Sequence, residues 1–128
     1  MLRRVLILCP EDENRNKIVA SVRRCGLDPL LSSNYQEARD FLALDNLAAA
    51  FCSDTLEDAA YPQIIEAAKP VPVIVLSRFA EWAPYLAALA AGAFDYISCP
   101  PDPREMERIL SSAIREHSGL QTWVATAA

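Results

Sequence analysis

No apolar run in this sequence is long enough to cross a lipid bilayer. The longest candidate, residues 83–94, is interrupted by a proline, a tyrosine and a glycine, whereas a spanning helix needs about 20 predominantly apolar residues. Near the N-terminus, two arginines precede only five apolar residues, and acids follow soon after. A secretory signal needs a longer apolar region and a small-residue cleavage site. These absences predict a cytoplasmic protein without a membrane partner.

The sequence also lacks an excess of positive charge. Its 128 residues carry a formal net charge of −5, whereas a protein that binds nucleic acid needs a basic surface for the phosphate backbone. Nucleic acid is therefore not an expected partner. The four cysteines include no closely spaced pair, which argues against a disulfide framework. The length and the hydrophobic fraction of 52% fit one globular domain.

What the sequence does contain is an alternation of short apolar runs with helical patterns. The runs predict five strands, at residues 5–9, 27–31, 48–54, 71–76 and 94–98. Continuous apolar runs are typical of strands that are buried on both faces. The segments between and after them predict five helices, including helices at residues 35–44 and 81–91 and a last one from Pro103.

This alternation predicts an α/β domain with a doubly wound, five-stranded parallel sheet in the order 2-1-3-4-5. Pro29 in the second strand fits only an edge position. Asn34 and Glu37 form a candidate capping box for the second helix. We expect the domain to span residues 1–118 and residues 119–128 to form a C-terminal tail.

The functional site of such a sheet lies outside the carboxyl ends of its strands. The predicted central strand, residues 48–54 (AAAFCSD), ends in the carboxylate of Asp54. The other strands present three short segments at the same edge: Cys9-Pro10-Glu11, Ser77-Arg78 and Cys99-Pro100. Asp54 is therefore the predicted centre of the site.

With these residues in these positions, the chain resembles a response-regulator receiver domain, the phospho-accepting module of two-component signalling. The resemblance covers residues 5–116 and implies a flavodoxin-like receiver fold. It implies that Asp54 is the phosphoacceptor and that Ser77 and Tyr96 are the switch residues. Residues 91–96 (AGAFDY) are among the better local matches to the family.

Three departures make the chain an atypical, degenerate match. The acidic pair that the family carries after its first strand falls on Cys9 and Pro10, and the family's lysine falls on Cys99. The loop after the phosphoacceptor (TLEDAAYP) lacks the family's Pro and Gly turn residues, and the helix after it is short.

Phosphoryl transfer to a carboxylate needs neutralisation of charge, which Mg²⁺ and a lysine normally supply. The loss of the acidic pair at Cys9 and Pro10 weakens the Mg²⁺ site that the resemblance implies. Glu11 and Asp12 are the remaining candidate metal ligands, and Arg78 is a candidate for charge compensation.

Trp82 and Tyr85 stand at helical spacing on the predicted fourth helix. In receivers, the surface of the fourth helix, fifth strand and fifth helix binds partners, so the resemblance implies that these aromatic residues form an interaction face. Core packing is the alternative for Tyr85. The implied partners are a histidine kinase or another signalling protein, and a second copy through the same face. We expect a protein that is not an enzyme.

Three functions stay open. The first is a single-domain receiver-like protein of a phosphorelay, which acts through protein–protein contacts and is phosphorylated on Asp54. The second is a pseudo-receiver, an interaction module that works without phosphorylation. The third is a redox or nucleotide-binding protein. No glycine-rich loop follows the first strand, which argues against nucleotide. Cys9 and Cys99 are candidate redox or soft-metal thiols, although buried cysteines more often act as small hydrophobes.

Overall fold

The computed structural model describes residues 3–44 and 46–127, and its centre is a parallel sheet of five strands. The order β2-β1-β3-β4-β5 confirms the predicted topology and puts Pro29 on an edge strand. The strands are β1 (Arg4–Leu8), β2 (Asp28–Ser32), β3 (Leu47–Ser53), β4 (Val73–Ser77) and β5 (Asp95–Ser98).

Helices cover both faces of this sheet. They are α1 (Asp12–Arg24), α2 (Tyr35–Ala38), α3 (Tyr61–Ala68), α4 (Trp82–Ala90) and α5 (Pro103–Ala127). One apolar cluster joins α1 and α5 to one face of the sheet, and a second cluster joins α2, α3 and α4 to the other face. The fold is therefore the doubly wound, flavodoxin-like arrangement that the alternating pattern predicts.

The middle strand β3 supplies both clusters. All seven of its residues are buried. Ala49 and Phe51 belong to the cluster under α1 and α5, whereas Ala50 and Cys52 belong to the opposite cluster. This alternation follows from the two-residue period of a strand. The packing of both faces therefore fixes the position of the carboxyl end of β3, directly before Asp54.

The segment after β2 differs from the predicted helix at residues 35–44. Helix α2 ends at Ala38, and a 3-10 turn follows at Phe41–Ala43. Phe41 and Leu42 still pack against the cluster under α2, α3 and α4, so the apolar residues reach the sheet without a continuous helix. Half of the predicted capping box is present, because the Asn34 side chain accepts a hydrogen bond of 2.9 Å from the backbone N–H of Glu37. The Glu37 carboxylate accepts instead from the backbone N–H of Ser33, at 3.1 Å.

Helix α5 continues through Ala127, so its backbone is helical over most of the segment predicted as a tail. The division of domain and tail at residue 118 stays a prediction. Within the described residues, no helix combines the length and the apolar character that a membrane span requires.

A carboxylate from the β3–α3 loop holds the start of α2. Asp58 accepts hydrogen bonds from the backbone N–H groups of Tyr35 and Gln36, each at 3.0 Å. Such groups at a helix N-terminus have no partner within the helix. The bond from Tyr35, with smaller help from Gln36, lowers the pKa of Asp58 because it favours the ionised carboxylate. The loop that follows Asp54 is thereby tied to α2.

We expect Asp58→Asn to destabilise the protein near neutral pH and to matter little in acid. Because the pKa of Asp58 is lower in the folded state, the carboxylate stabilises the fold above its unfolded pKa of about 3.9, and this contribution is lost as the pH falls through the folded pKa. Urea unfolding at several pH values measures the difference. Asp40→Asn is the control, since Asp40 is exposed and makes no cap hydrogen bond. A difference between wild type and Asp58→Asn that is independent of pH would contradict the assignment.

Gly92, which follows α4, gives a second test of the fold. Its φ is +105°, and a Cβ added there would lie 3.2 Å from Cγ2 of Ile65. Gly26 has a φ of +76° with nothing within 4 Å of such a Cβ. Alanine should strain the backbone at both sites, by roughly 1–2 kcal/mol, but only Gly92→Ala also crowds the core. We expect Gly92→Ala to lose about 1 kcal/mol more unfolding free energy than Gly26→Ala, and equal losses in urea would argue against this packing.

Candidate functional site

A narrow cleft opens where the sequence predicts the site, at the carboxyl ends of β1, β3, β4 and β5. The space open to a water-sized sphere is about 10 Å³, which is close to the minimum for one water molecule. Six of its lining residues are ones that the sequence singles out: Cys9, Glu11, Asp54, Ser77, Arg78 and Cys99. The structure therefore gathers most of the candidate residues in one place.

Asp54 lies directly after β3 and is partly exposed. Its backbone N–H donates to the carbonyl of Leu76 at 2.9 Å, which continues the β3–β4 ladder by one residue. Its carboxylate has no hydrogen bond or ion pair with any side chain that the structure describes. Arg78 lines the same cleft, but its guanidinium carbon lies 5.8 Å from the ring centroid of Phe79 and it makes no ion pair with Asp54. The predicted charge compensation is thus close to the site but is not formed as a direct contact.

Several lining residues were not predicted from the sequence. Ser53 and Thr55 flank the aspartate; their hydroxyls lie 2.8 Å apart, and the backbone N–H of Thr55 donates to Ser53 Oγ at 3.1 Å. This small turn fixes the backbone on both sides of Asp54. Asn14 also lines the cleft, and its side-chain amide donates to Glu11 at 2.9 Å. The spacing of three residues at the start of α1 is the signal that could have identified Asn14.

The two predicted switch residues are connected through one backbone segment. Ser77 is the buried last residue of β4, and its Oγ accepts a hydrogen bond of 3.1 Å from the N–H of Phe79. Tyr96 is buried on β5, and its hydroxyl donates to the carbonyl of Phe79 at 2.6 Å. A displacement of Phe79 would therefore change the hydrogen bonds of both Ser77 and Tyr96.

Tyr96 also contacts the predicted interaction face. Its ring meets that of Tyr85 edge to face, with the centroids 6.0 Å apart, and Trp82 stacks on Tyr85 at 5.3 Å. Trp82 is 70% exposed, whereas Tyr85 is half-buried and also packs against the core. Both interpretations of Tyr85 thus hold in part, because it belongs to the core and to the aromatic surface.

The surroundings of the cysteines in the cleft keep their thiols protonated. Burial raises the pKa of Cys9, and burial together with the nearby Cys9, Glu11 and Asp54 raises the pKa of Cys99 to about 11. A protonated thiol is a weak nucleophile and a weak metal ligand. The strands β1 and β5, which precede these cysteines, are three strand spacings apart, on the order of 14 Å, whereas a disulfide needs Cα atoms within about 7 Å. The geometry does not support a disulfide between Cys9 and Cys99.

The donor set of the cleft is weaker for Mg²⁺ than the one that the resemblance implies. Mg²⁺ prefers oxygen ligands in a near-octahedral arrangement, and the cleft supplies carboxylates only from Asp54 and Glu11. Asp12 is ion-paired with Arg15 and does not line the cleft. Across the described residues, no group of three or more His, Cys, Asp or Glu side chains could hold a metal ion. A neutral thiol, Cys9, stands where an acid would be expected.

We expect iodoacetamide to modify Cys9, Cys52 and Cys99 much more slowly in the native protein than in urea. Burial raises the pKa of Cys99 to about 11 and, with the neighbouring Asp54, that of Cys52 to about 12, so little thiolate is present near neutral pH. Peptide mass spectrometry after quenching measures the extent of modification of each cysteine. Glutathione in the same solution is the control that shows that the iodoacetamide is reactive. Rapid labelling of native Cys9 or Cys99 would contradict the assignment and favour a redox role.

Comparison with known proteins supports the resemblance of the chain to receiver domains. No protein-family model matches the chain. The sequence is 26% identical over 117 residues to the response regulator protein PilR of Pseudomonas aeruginosa. This match covers 88% of the chain and 26% of PilR, so the chain spans about a quarter of the length of that relative.

Solved structures of receiver domains superpose on almost the whole chain. The response regulator receiver domain protein of Clostridium thermocellum has a TM-score of 0.81 at 18% identity, with 93% of this chain and 99% of that chain covered. The beryllofluoride-activated NtrC4 receiver domain dimer has a TM-score of 0.78 at 19% identity, with 88% and 97% covered. The chain therefore has the receiver-domain fold of two-component response regulators.

Proposed function

We propose that the chain is a signalling module of a two-component phosphorelay that acts in the cytoplasm through protein–protein contacts. Its surface for these contacts is the face formed by α4, β5 and the start of α5. The partner is a histidine kinase or another signalling protein, and a second copy of the chain is the alternative occupant of the same face. The dimeric state of the NtrC4 neighbour supports that alternative.

The observation that carries this proposal is the continuous path from the cleft to the exposed aromatic residues. The Ser77 hydroxyl bonds to the backbone of Phe79, and the Phe79 carbonyl bonds to Tyr96. Tyr96 then contacts Tyr85, which stacks on the exposed Trp82. A change at the Ser77 end that moved Phe79 would alter the surface that a partner binds, which is the requirement for a switch with two arrangements.

In the first version of this function, Asp54 is the phosphoacceptor. An oxygen of its carboxylate forms a bond to phosphorus while the bond from phosphorus to the leaving group breaks. The position after β3 and the lack of side-chain partners support Asp54 as the nucleophile. Ser77 Oγ retains a proton that it could donate to a phosphoryl oxygen, and Arg78 is the cation that lines the cleft.

A specific observation favours a second version, in which the module works without phosphorylation. The positions where a receiver carries an acid and a lysine hold Cys9 and Cys99, and burial keeps both thiols neutral. Only two carboxylates, Asp54 and Glu11, line the cleft as donors for Mg²⁺, and the cleft has room for about one water molecule. In this version the aromatic face has one constant arrangement, and partner binding does not depend on Asp54.

Incubation with acetyl phosphate and Mg²⁺, followed by intact-protein mass spectrometry, separates the two versions. The first version predicts addition of one phosphate to wild type and none to Asp54→Ala. The second predicts no adduct in wild type, but an adduct in the double variant Cys9→Asp/Cys99→Lys, which restores one acid and the lysine. Cys9→Ser/Cys99→Ser is the matched control, because it removes the thiols without adding charge.

Measurements of partner binding test the interaction face, which both versions of the function share. Trp82→Ala should weaken binding to the cognate partner in either version, because it removes an exposed aromatic residue of the face. Asp54→Ala should leave that binding unchanged only in the second version. Full binding by a folded Trp82→Ala protein would exclude this face as the interaction surface.

A further inference from the structure

We propose that a groove on the α4–β5–α5 face binds the guanidinium group of an arginine that the partner protein presents. This inference rests on the proposed function, since it specifies the chemistry of the partner at that face. The groove, called here the aromatic groove, has a volume of about 250 Å³. Its walls are the rings of Trp82, Tyr85 and Tyr96 together with the side chains of Glu81 and Glu105.

The aromatic side of the groove is suited to a cation. Trp82 stacks on Tyr85 with an interplanar angle of 21°, and Tyr85 meets Tyr96 at 87°. This arrangement fixes the stacked pair against the buried Tyr96 while Trp82 remains 70% exposed. A cation over the face of a tryptophan is attracted by the quadrupole of the ring, and the stacked pair presents such a face at low cost in side-chain entropy.

The carboxylates of the groove have no cation of their own. Glu81 precedes α4 without making a cap hydrogen bond, and Glu105 lies in the first turn of α5. Neither forms an ion pair or hydrogen bond with any side chain that the structure describes. They are also the two charged residues that line the groove, so its charge is negative. An anionic or phosphorylated ligand would meet repulsion there, whereas a cation would meet two carboxylates.

Arginine fits this combination better than lysine. Its guanidinium is planar, stacks on aromatic rings and donates two parallel hydrogen bonds to one carboxylate, whereas an ammonium group is a compact, strongly hydrated charge. The chain already contains a contact of this kind beside the groove, because the guanidinium of Arg78 lies over the ring of Phe79.

The surroundings indicate a protein partner instead of a free small molecule. The volume is below the range of roughly 300–1,000 Å³ that is typical of small-molecule sites, and it suits one side chain. Phe79, in the segment before α4, and Leu86, on α4, are each 46% exposed. They would contact the apolar residues that flank the inserted arginine, and arginine with tryptophan and tyrosine is typical of the energetically dominant part of an interface.

The test uses three short peptides and the fluorescence of Trp82. Trp123→Phe makes Trp82 the sole tryptophan of the full chain. The probes are acetyl-Leu-Arg-Leu-amide and its counterparts with lysine or norleucine in the central position. We expect saturable binding of the arginine peptide, binding of the lysine peptide that is weaker by about fivefold or more, and no saturation with norleucine.

Two double variants locate the binding. Glu81→Gln/Glu105→Gln should weaken binding of the arginine peptide by about tenfold or more, because both charged acceptors are lost. Glu13→Gln/Glu66→Gln is the matched control, since it removes two exposed acids from α1 and α3 and leaves the groove unchanged. Circular dichroism confirms that each variant is folded.

The possible results separate this inference from the proposed function. Absence of saturable arginine binding, equal binding of norleucine, or full binding by Glu81→Gln/Glu105→Gln overturns the groove as an arginine site. None of these results depends on phosphate, because Asp54 lies in the cleft and not in the groove. Loss of partner binding in Trp82→Ala, together with failure of the arginine peptide, would retain the interaction face and reject its arginine chemistry.

Discussion

The complete burial of β3 is the constraint on which the rest of this structure depends. A strand that supplies apolar residues to both faces must lie in the middle of the sheet, and its register with β4 is fixed by the ladder. The N–H of Asp54 extends that ladder by one bond to Leu76. The chain must turn at this point, because Ser53 and Thr55 bond to each other across the aspartate. The position of the carboxylate therefore follows from the core and not from contacts of the carboxylate itself.

Cysteines stand at the positions where the resemblance to receivers implies an acid and a lysine, and they lower the charge of the cleft while fitting the apolar core of the fold. Cys9 is buried and belongs to the apolar cluster of α1 and α5, and Cys99 packs against that cluster. A buried acid needs a paired charge, and a buried cation needs the same, so the loss of both together leaves no isolated charge inside the protein. What remains is Asp54 with Glu11 at the opening, balanced by Arg78 alone among the residues that line the cleft. In this setting Arg78 is the cation among the lining residues that is available to neutralise charge at Asp54, while the packing stays intact.

The sequence was sufficient to predict the sheet order and the position of Asp54, because both depend on strong local patterns. Continuous apolar runs identify the strands, and the end of such a run identifies the edge at which the site lies. Asp58 was not predictable in this way, since its partners Tyr35 and Gln36 are 23 and 22 residues away in the chain. The same limit applies to Glu81 and Glu105, which come to one groove because α4 and α5 lie on opposite faces of the sheet beside its edge strand β5. The break after α2 was missed because tertiary packing of Phe41 and Leu42 replaces helical continuity there.

The hydrogen bonds of Ser77 and Tyr96 link the cleft and the aromatic groove in either version of the function. The Ser77 hydroxyl accepts from the N–H of Phe79 and can still donate its own proton, so an anion at Asp54 could engage it without breaking the existing bond. The Phe79 carbonyl already holds the Tyr96 hydroxyl at 2.6 Å, with the ring buried. Contacts within the chain therefore hold the walls of the groove. A partner that inserts a side chain beside Tyr96 would favour this arrangement, and by reciprocity any event at Asp54 that favours it would strengthen partner binding.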